Sequence, residues 1–252
     1  MRTNNMKLGI IGAEKQEVDV LIAALSVSGA SAGMTKRGML EFHEGLLHGC
    51  PVVVVCCGIG KVNAAMCAQM LISEFSVSAI INTGSAGGLD PDLSVLDMVV
   101  CTDAVQHDFD TTIFGYPPGQ VPGTSSPFFV SDSTLRALAL SAFSRVASGT
   151  DGDKGFSGKM IEGRIASGDS FVNDVTLRAR IVTLFSPACV EMEGAAIAQV
   201  CAAKGVSFII LRSVSDLAGQ DAGMSYDEFS HIASKRSARV VMEMMSELEE
   251  IK

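Results

Sequence analysis

No apolar run in this sequence approaches the roughly 20 residues needed to cross a bilayer. The longest, Pro51 to Cys57 and Phe208 to Leu211, have the length of strands, so no membrane segment is expected. The opening Met1-Arg2-Thr3-Asn4-Asn5-Met6 lacks the apolar stretch and small-residue cleavage site of a secretory signal, which points to the cytoplasm. The seven cysteines include no C-x-x-C pair; their odd number, and the apolar setting of Cys56 and Cys57, read as buried thiols in a reducing compartment. The four histidines, His43, His48, His107 and His231, are too dispersed for a zinc-ligand spacing, so no metal is expected. Clustered Lys and Arg are also missing. With 19 cationic against 28 anionic side chains, the formal charge of -9 argues against a nucleic-acid surface and for a small neutral or cationic substrate. Neither G-x-x-x-x-G-K-[ST] nor G-x-G-x-x-G occurs, and there is no internal repeat or low-complexity segment.

What is present is a chain of 252 residues, 48% hydrophobic, enough for the core of one α/β domain. That domain is expected to span residues 1–252, with residues 1–5 as a flexible start. Lys7 to Ala13 is a short apolar run ended by glycine, followed by apolar positions at Val18, Leu21, Ile22 and Leu25: strand, loop, helix. Glu41 to Leu47 alternates and Pro51 to Cys57 is β-branched and continuous, with His48-Gly49-Cys50-Pro51 as a hairpin turn between them. Lys61 to Phe75 has helical spacing and Ala79 to Asn82 reads as a buried strand. Strands at Met98 to Ala104, Ile165-Ala166, Cys189 to Glu191 and Phe208 to Val214 then alternate with helices. These helices run from Ser131 to about Ala147, from Asn173, through Lys204, and from about Ser225. The alternation predicts an α/β fold in which a central β-sheet, mixed because of the hairpin, is flanked by α-helices. The stretch from His107 to Pro127 holds four prolines, and an irregular segment of that length is more often functional than idle.

Ligands of open α/β sheets sit at the carboxyl ends of strands, and five such ends carry unusual residues: Gly12 to Glu17, Thr83 to Gly88, Ser167 to Asn173, Glu191 to Gly194, and Arg212 to Asp216. Each has a plain structural account. Gly12-Ala13 makes a strand-to-helix turn, Gly84 to Gly88 a tight loop, and Ser215-Asp216 a helix cap. Together they bring Glu17, Glu191, Glu193 and Asp216 near strand ends, where a carboxylate must reach water or line a cleft. Such a set suits glycosidic-bond chemistry: carboxylates stabilise the oxocarbenium-like sugar, one deprotonates water, and another protonates the leaving base. In an extended Val190 to Glu193, Glu191 and Glu193 share a face, so either reaches sugar or water. The acidic neighbours of Gly84 to Gly88 make close approach of a nucleoside a better reading than a phosphate cradle.

The ordered segments resemble the 5′-methylthioadenosine/S-adenosylhomocysteine nucleosidases of the nucleoside phosphorylase superfamily. They include Lys7-x-Gly9-Ile10-Ile11-Gly12-Ala13 with Glu17, Gly58-Ile59-Gly60-Lys61-Val62-Asn63-Ala64-Ala65, and Asn82-Thr83-Gly84-Ser85-Ala86-Gly87-Gly88-Leu89. Further along come His107-Asp108, Phe114-Gly115-Tyr116, Gly119-Gln120-x-Pro122-Gly123, and Ser167-Gly168-Asp169-x-Phe171-x-Asn173. Val190-Glu191-Met192-Glu193, Arg212-x-x-Ser215-Asp216 and Ser225-Tyr226-Asp227-Glu228-Phe229 complete the series, which covers essentially the whole chain.

The resemblance implies hydrolysis of adenine thionucleosides without cofactor. Glu17 would activate water and Asp216 would protonate adenine N-7. Ser85 and Arg212 would help hold the water and the acidic cluster, Glu193 would bind the ribose hydroxyls over Met192, and Gly87 and Ser215 would lie close to the ligand. Phe171 would stack on adenine while the Val172 backbone reads its amino edge; composition alone reads Phe171 as a core aromatic. The resemblance further implies a homodimer in which Phe109, Ile113 and Phe114 cover the neighbour's 5′-alkylthio pocket. The sequence departs from the family at Glu14, where a methionine is common, and at Gln16, which replaces an acidic residue.

Three other functions use similar parts. A phosphorylase would need cations for phosphate, and neither the first loop nor Asn82-Thr83-Gly84 contains an arginine. A nucleoside sensor would need no paired acid and base. A relative acting on futalosine or deoxyadenosine would share the same catalytic groups.

Overall fold

Leu8–Gly12 forms β1 as an unbroken buried run, the pattern of a strand covered on both faces and paired on both edges. The computed structural model describes residues 7–26, 33–149, 156–218 and 222–250; the flexible start expected at residues 1–5 lies outside them. In it β1 runs parallel to β4 (Cys50–Cys56) on one side and to β5 (Ala79–Gly88) on the other. β3 (Leu40–Leu47) and β2 (Gly33–Arg37) extend the sheet beyond β4 as antiparallel strands. The hairpin turn narrows to His48-Gly49, with φ of 46° and 77°, a two-residue geometry whose twist matches that of its strands. No apolar pattern predicts β2: Gly-Met-Thr-Lys-Arg is a largely exposed edge strand whose cations discourage further pairing.

On the far side of β5 the sheet closes on itself. β10 (Ser207–Asp216) pairs parallel with β5, β6 (Met98–Gln106) antiparallel with β10, and β8 (Met160–Ser167) parallel with β6. β9 (Cys189–Glu191) joins β8 and then returns antiparallel to β5, closing five of these strands into a ring. β7 (Phe129–Val130) adds a short pairing to β6. The closure depends on Gly84 to Gly88. Expected as a tight loop, this segment is strand, because Leu211 to Val214 of β10 pairs with Thr83 to Ala86. Tertiary pairing overrides the weak strand preference of glycine.

Helices α1 (Lys15–Ala23) and α3 (Ser133–Ser148) each pack on α6 (Ala222–Glu250), and α2 (Lys61–Ser73) packs on α5 (Gly194–Lys204). α4 (Val175–Phe185) follows β8. α3 and α4 each begin two residues later than the apolar pattern implies, because Asp132 and Asp174 sit outside the helix and cap its first amides. His107 to Pro127 contains only a 3-10 turn at Thr112–Phe114. Among the described residues no helix is long and apolar enough to cross a membrane.

Candidate active site

The loop after β1, the second half of β5, the segment after β8, the β9–α5 junction and the end of β10 border one cavity of about 400 Å³. That lies within the usual range for small-molecule sites.

Glu17 stands in the first turn of α1 and is buried. Its carboxylate turns back to accept the amides of Ala13 (2.7 Å) and Glu14 (3.1 Å) on Oε2 and of Ser85 (3.0 Å) on Oε1. The Ser85 amide is available for a topological reason. β1 pairs with β5 through Asn82 and β9 pairs with it from Gly87, so Thr83 to Ala86 have no strand on that edge, and their polar groups need other partners. Gly84 is required there, since any Cβ would overlap the Glu17 carboxylate. Burial pushes the Glu17 pKa up, against Arg212 and the three amides, which pull it down. The result is a stronger base than an ordinary carboxylate.

Asp216 ends β10, where the register against β5 shifts between Val214 and Asp216. A shift of this kind re-aims a side chain. Its Oδ1 accepts the Ala218 amide and its Oδ2 the Ser215 hydroxyl, both at 2.9 Å. Burial raises its pKa, opposed by those two hydrogen bonds, and so favours the protonated acid. Gly87 faces it, and a Cβ there would come within 3.0 Å of Asp216 Oδ1.

Glu191 and Glu193 separate into different tasks because β9 stops at Glu191 and Glu193 already sits at the N-terminal cap of α5. Glu191 accepts from Arg212 Nη2, Ser167 Oγ and the amides of Glu193 (3.1 Å) and Gly194 (2.8 Å). Its lone pairs are committed to protein donors. Among the described residues Glu193 accepts only the Gly60 amide, at 2.8 Å, and it lies 3.8 Å from Arg212. Burial, and then the Glu191 charge, push Glu193 up to about 8 against the pull of Arg212. Arg212 is fully buried behind this wall, and its Nη2 also donates to Asn82 Oδ1 at 2.6 Å. Burial disfavours its charge, but Glu191, Glu17 and Glu193 outweigh that and hold it protonated.

Phe171 and Val172 also line the cavity. Asp169 pins their loop: its Oδ1 accepts the Lys61 amide at 2.8 Å and its own amide donates to Asp108 at 2.9 Å. Phe171 is 45% exposed, which argues against a core aromatic, and meets Tyr226 of α6 edge-on at 5.7 Å. The Tyr226 hydroxyl donates to Glu14. Burial and that carboxylate push its pKa up, so it remains a donor.

Of the residues predicted from sequence, Glu17, Ser85, Gly87, Phe171, Val172, Met192, Glu193, Ser215 and Asp216 line the cavity. Arg212 lies behind its wall, and Phe109, Ile113 and Phe114 do not line it in this chain. Ile113 and Phe114 are 88% and 76% exposed. Glu14, singled out as a departure in the first loop, lines the cavity, as do Ile59 and Tyr226, which were not singled out for it. Tyr226 belongs to a motif that resemblance marks, but nothing in helical spacing shows that it folds over the cavity. Among the described residues no three His, Cys, Asp or Glu side chains gather where they could hold a metal ion.

A mixed sheet closed at one end, with an acidic, nucleoside-sized cavity beside the closure, defines a class. The family model for the phosphorylase superfamily matches residues 7–246, and the chain belongs to that superfamily. Within it, the chain is 43% identical over 257 residues to the 5′-methylthioadenosine/S-adenosylhomocysteine nucleosidase of Treponema pallidum, covering 96% of this chain and 94% of the relative. The crystal structure of the nucleosidase of that name from Colwellia psychrerythraea, in complex with adenine, superposes with a TM-score of 0.89 at 37% identity, covering 97% of this chain and 96% of the other. The native futalosine hydrolase of Helicobacter pylori gives a TM-score of 0.85 at 33% identity, covering 96% and 98%.

Proposed function

We propose that this chain hydrolyses the N-glycosidic bond of 5′-methylthioadenosine and S-adenosylhomocysteine, releasing adenine and the thioribose product. The observation that carries the reading is the placement of two carboxylates, Glu17 and Asp216, on one cavity, each with its pKa raised by burial. Adenine stacks on Phe171 with its amino edge at the Val172 backbone, and Asp216 gives its proton to N-7 as the C1′–N-9 bond breaks and the electron pair moves into the base. Glu193 accepts the ribose hydroxyls above Met192. Glu17 takes a proton from water, whose oxygen bonds to C1′. Arg212 holds Glu191 and steadies the acidic wall.

Hydrolysis is favoured over phosphorolysis by charge. Arg212, the cation nearest the carboxylates, is already bound to Glu191 and Asn82 behind the wall, so an entering phosphate would meet carboxylates. We also propose a homodimer, with exposed Ile113 and Phe114 covering the partner's cavity, and residence in the cytoplasm, which the seven free cysteines support. Free adenine released from a panel of adenine nucleosides in phosphate-free buffer tests the activity; strict dependence on added phosphate contradicts it. Sedimentation at micromolar concentration tests the dimer, which a fully active monomer contradicts.

A further inference from the structure

Glu14 and Tyr226 remain when the cavity is divided among the parts of a nucleoside. On the nucleosidase reading, Phe171, Val172 and Asp216 take the base, and Met192 and Glu193 take the sugar. The first loop and the start of α6 are left beside the third part, the 5′ substituent. Glu14 there is half-buried and sets its carboxyl group on the cavity wall. Its Oε2 receives the Tyr226 hydroxyl and the Gln16 amide (3.2 Å). The Glu14 side chain also closes a capping box with the backbone amide of Glu17. Edge contact with Phe171 fixes the Tyr226 ring, so the carboxylate is held on the cavity wall, where its two oxygens offer more lone pairs than these three donors use. A half-buried carboxylate gains little beside a plain methylthio group, but it accepts a charge-assisted hydrogen bond from an ammonium.

We propose that Glu14 and Tyr226 form a specificity pair for the 5′ tail. The Tyr226 hydroxyl holds the Glu14 carboxylate so that its remaining lone pairs receive the amino group of an aminoacyl thioether, favouring such substrates over those with a simple alkylthio group. This inference rests on the nucleosidase reading and deepens it.

The test compares kcat/KM for S-adenosylhomocysteine, for 5′-methylthioadenosine, and for the homocysteine thioether lacking its α-amino group. The enzymes are wild type, Glu14→Gln and Tyr226→Phe, each checked for native circular dichroism. Glu14→Gln should lower the ratio of S-adenosylhomocysteine to methylthioadenosine about tenfold, the size of one hydrogen bond to a charged group. The ratio of the amino-less thioether to methylthioadenosine should move less than about twofold, since that tail offers no ammonium. Tyr226→Phe should shift the first ratio in the same direction but less, about threefold, because Gln16 still holds the carboxylate. Ratios unmoved in both variants, or both ratios falling together, overturn the pair alone. Wild type that releases adenine from none of the three overturns the nucleosidase reading and the pair with it.

Discussion

The backbone amide of Ser85 donates to Glu17 Oε1 at 3.0 Å, on the stretch of β5 that has left β1 and not yet met β9. A break in strand pairing thus becomes a cradle for a carboxylate. The amides of Ala13 and Glu14 complete it, and substitutions at the cradle should act on turnover through this one side chain.

Glu17→Gln should lose both the base and part of the cradle. The amide cannot take a proton from water, so single-turnover adenine release should fall on the order of 10²- to 10⁴-fold. One of its terminal atoms becomes an NH2 group facing an N–H donor, which should cost about 1–3 kcal/mol in urea unfolding. Near-normal turnover would remove Glu17 from the mechanism.

Gly84→Ala places a methyl group against the Glu17 carboxylate. With native circular dichroism retained, kcat should fall about 10²-fold, because a displaced base loses its alignment with water. An unchanged kcat would show that the carboxylate position is not limiting.

Arg212→Met should destabilise the fold by about 3–5 kcal/mol, the usual cost of leaving a buried ion uncompensated. Glu191 would lose its cation and Asn82 Oδ1 its 2.6 Å donor. A loss under about 1 kcal/mol in urea unfolding would contradict this account of the acidic wall.

Stability should fall as pH rises through the range in which the buried acids ionise. Glu17, Asp216 and Glu193 all have raised pKa values in the folded chain, Glu193 up to about 8 from an ordinary 4.5. A raised pKa means that the folded state binds protons more tightly than the unfolded one. The resulting stabilisation is full below the unfolded value and lost as pH rises through the folded value. Tm should therefore decline from pH 6 to 9, and Glu193→Gln should flatten the decline. A wild-type Tm that rises over this range, or an unaltered slope in the variant, would contradict the assignment.

Much of this was legible in the sequence where burial leaves a pattern. β1, β4 and the 41–57 hairpin follow from apolar runs, and the carboxylates at strand ends mark the cavity. The second half of β5 was not legible, because glycines at 84, 87 and 88 carry no strand signal and only pairing with β10 makes them strand. Spacing could not separate Glu191 from Glu193, since the chain turns from strand to helix between them. Nor could it show that Tyr226, in the long helix α6, reaches Glu14, 212 residues away in sequence.

The central claim is that Asp216 delivers a proton to the departing base. A free aspartic acid has a pKa of about 3.9, and burial raises that of Asp216. Asp216 also accepts the Ala218 amide, the geometry of a simple turn cap, which asparagine would fill equally well. Asp216→Asn can still hydrogen-bond N-7 but has no acidic proton to surrender. The measurement that separates the two roles is single-turnover adenine release by folded Asp216→Asn protein with bound 5′-methylthioadenosine. The account predicts retained binding and release slowed by about 10²-fold or more; release at the wild-type rate would contradict it.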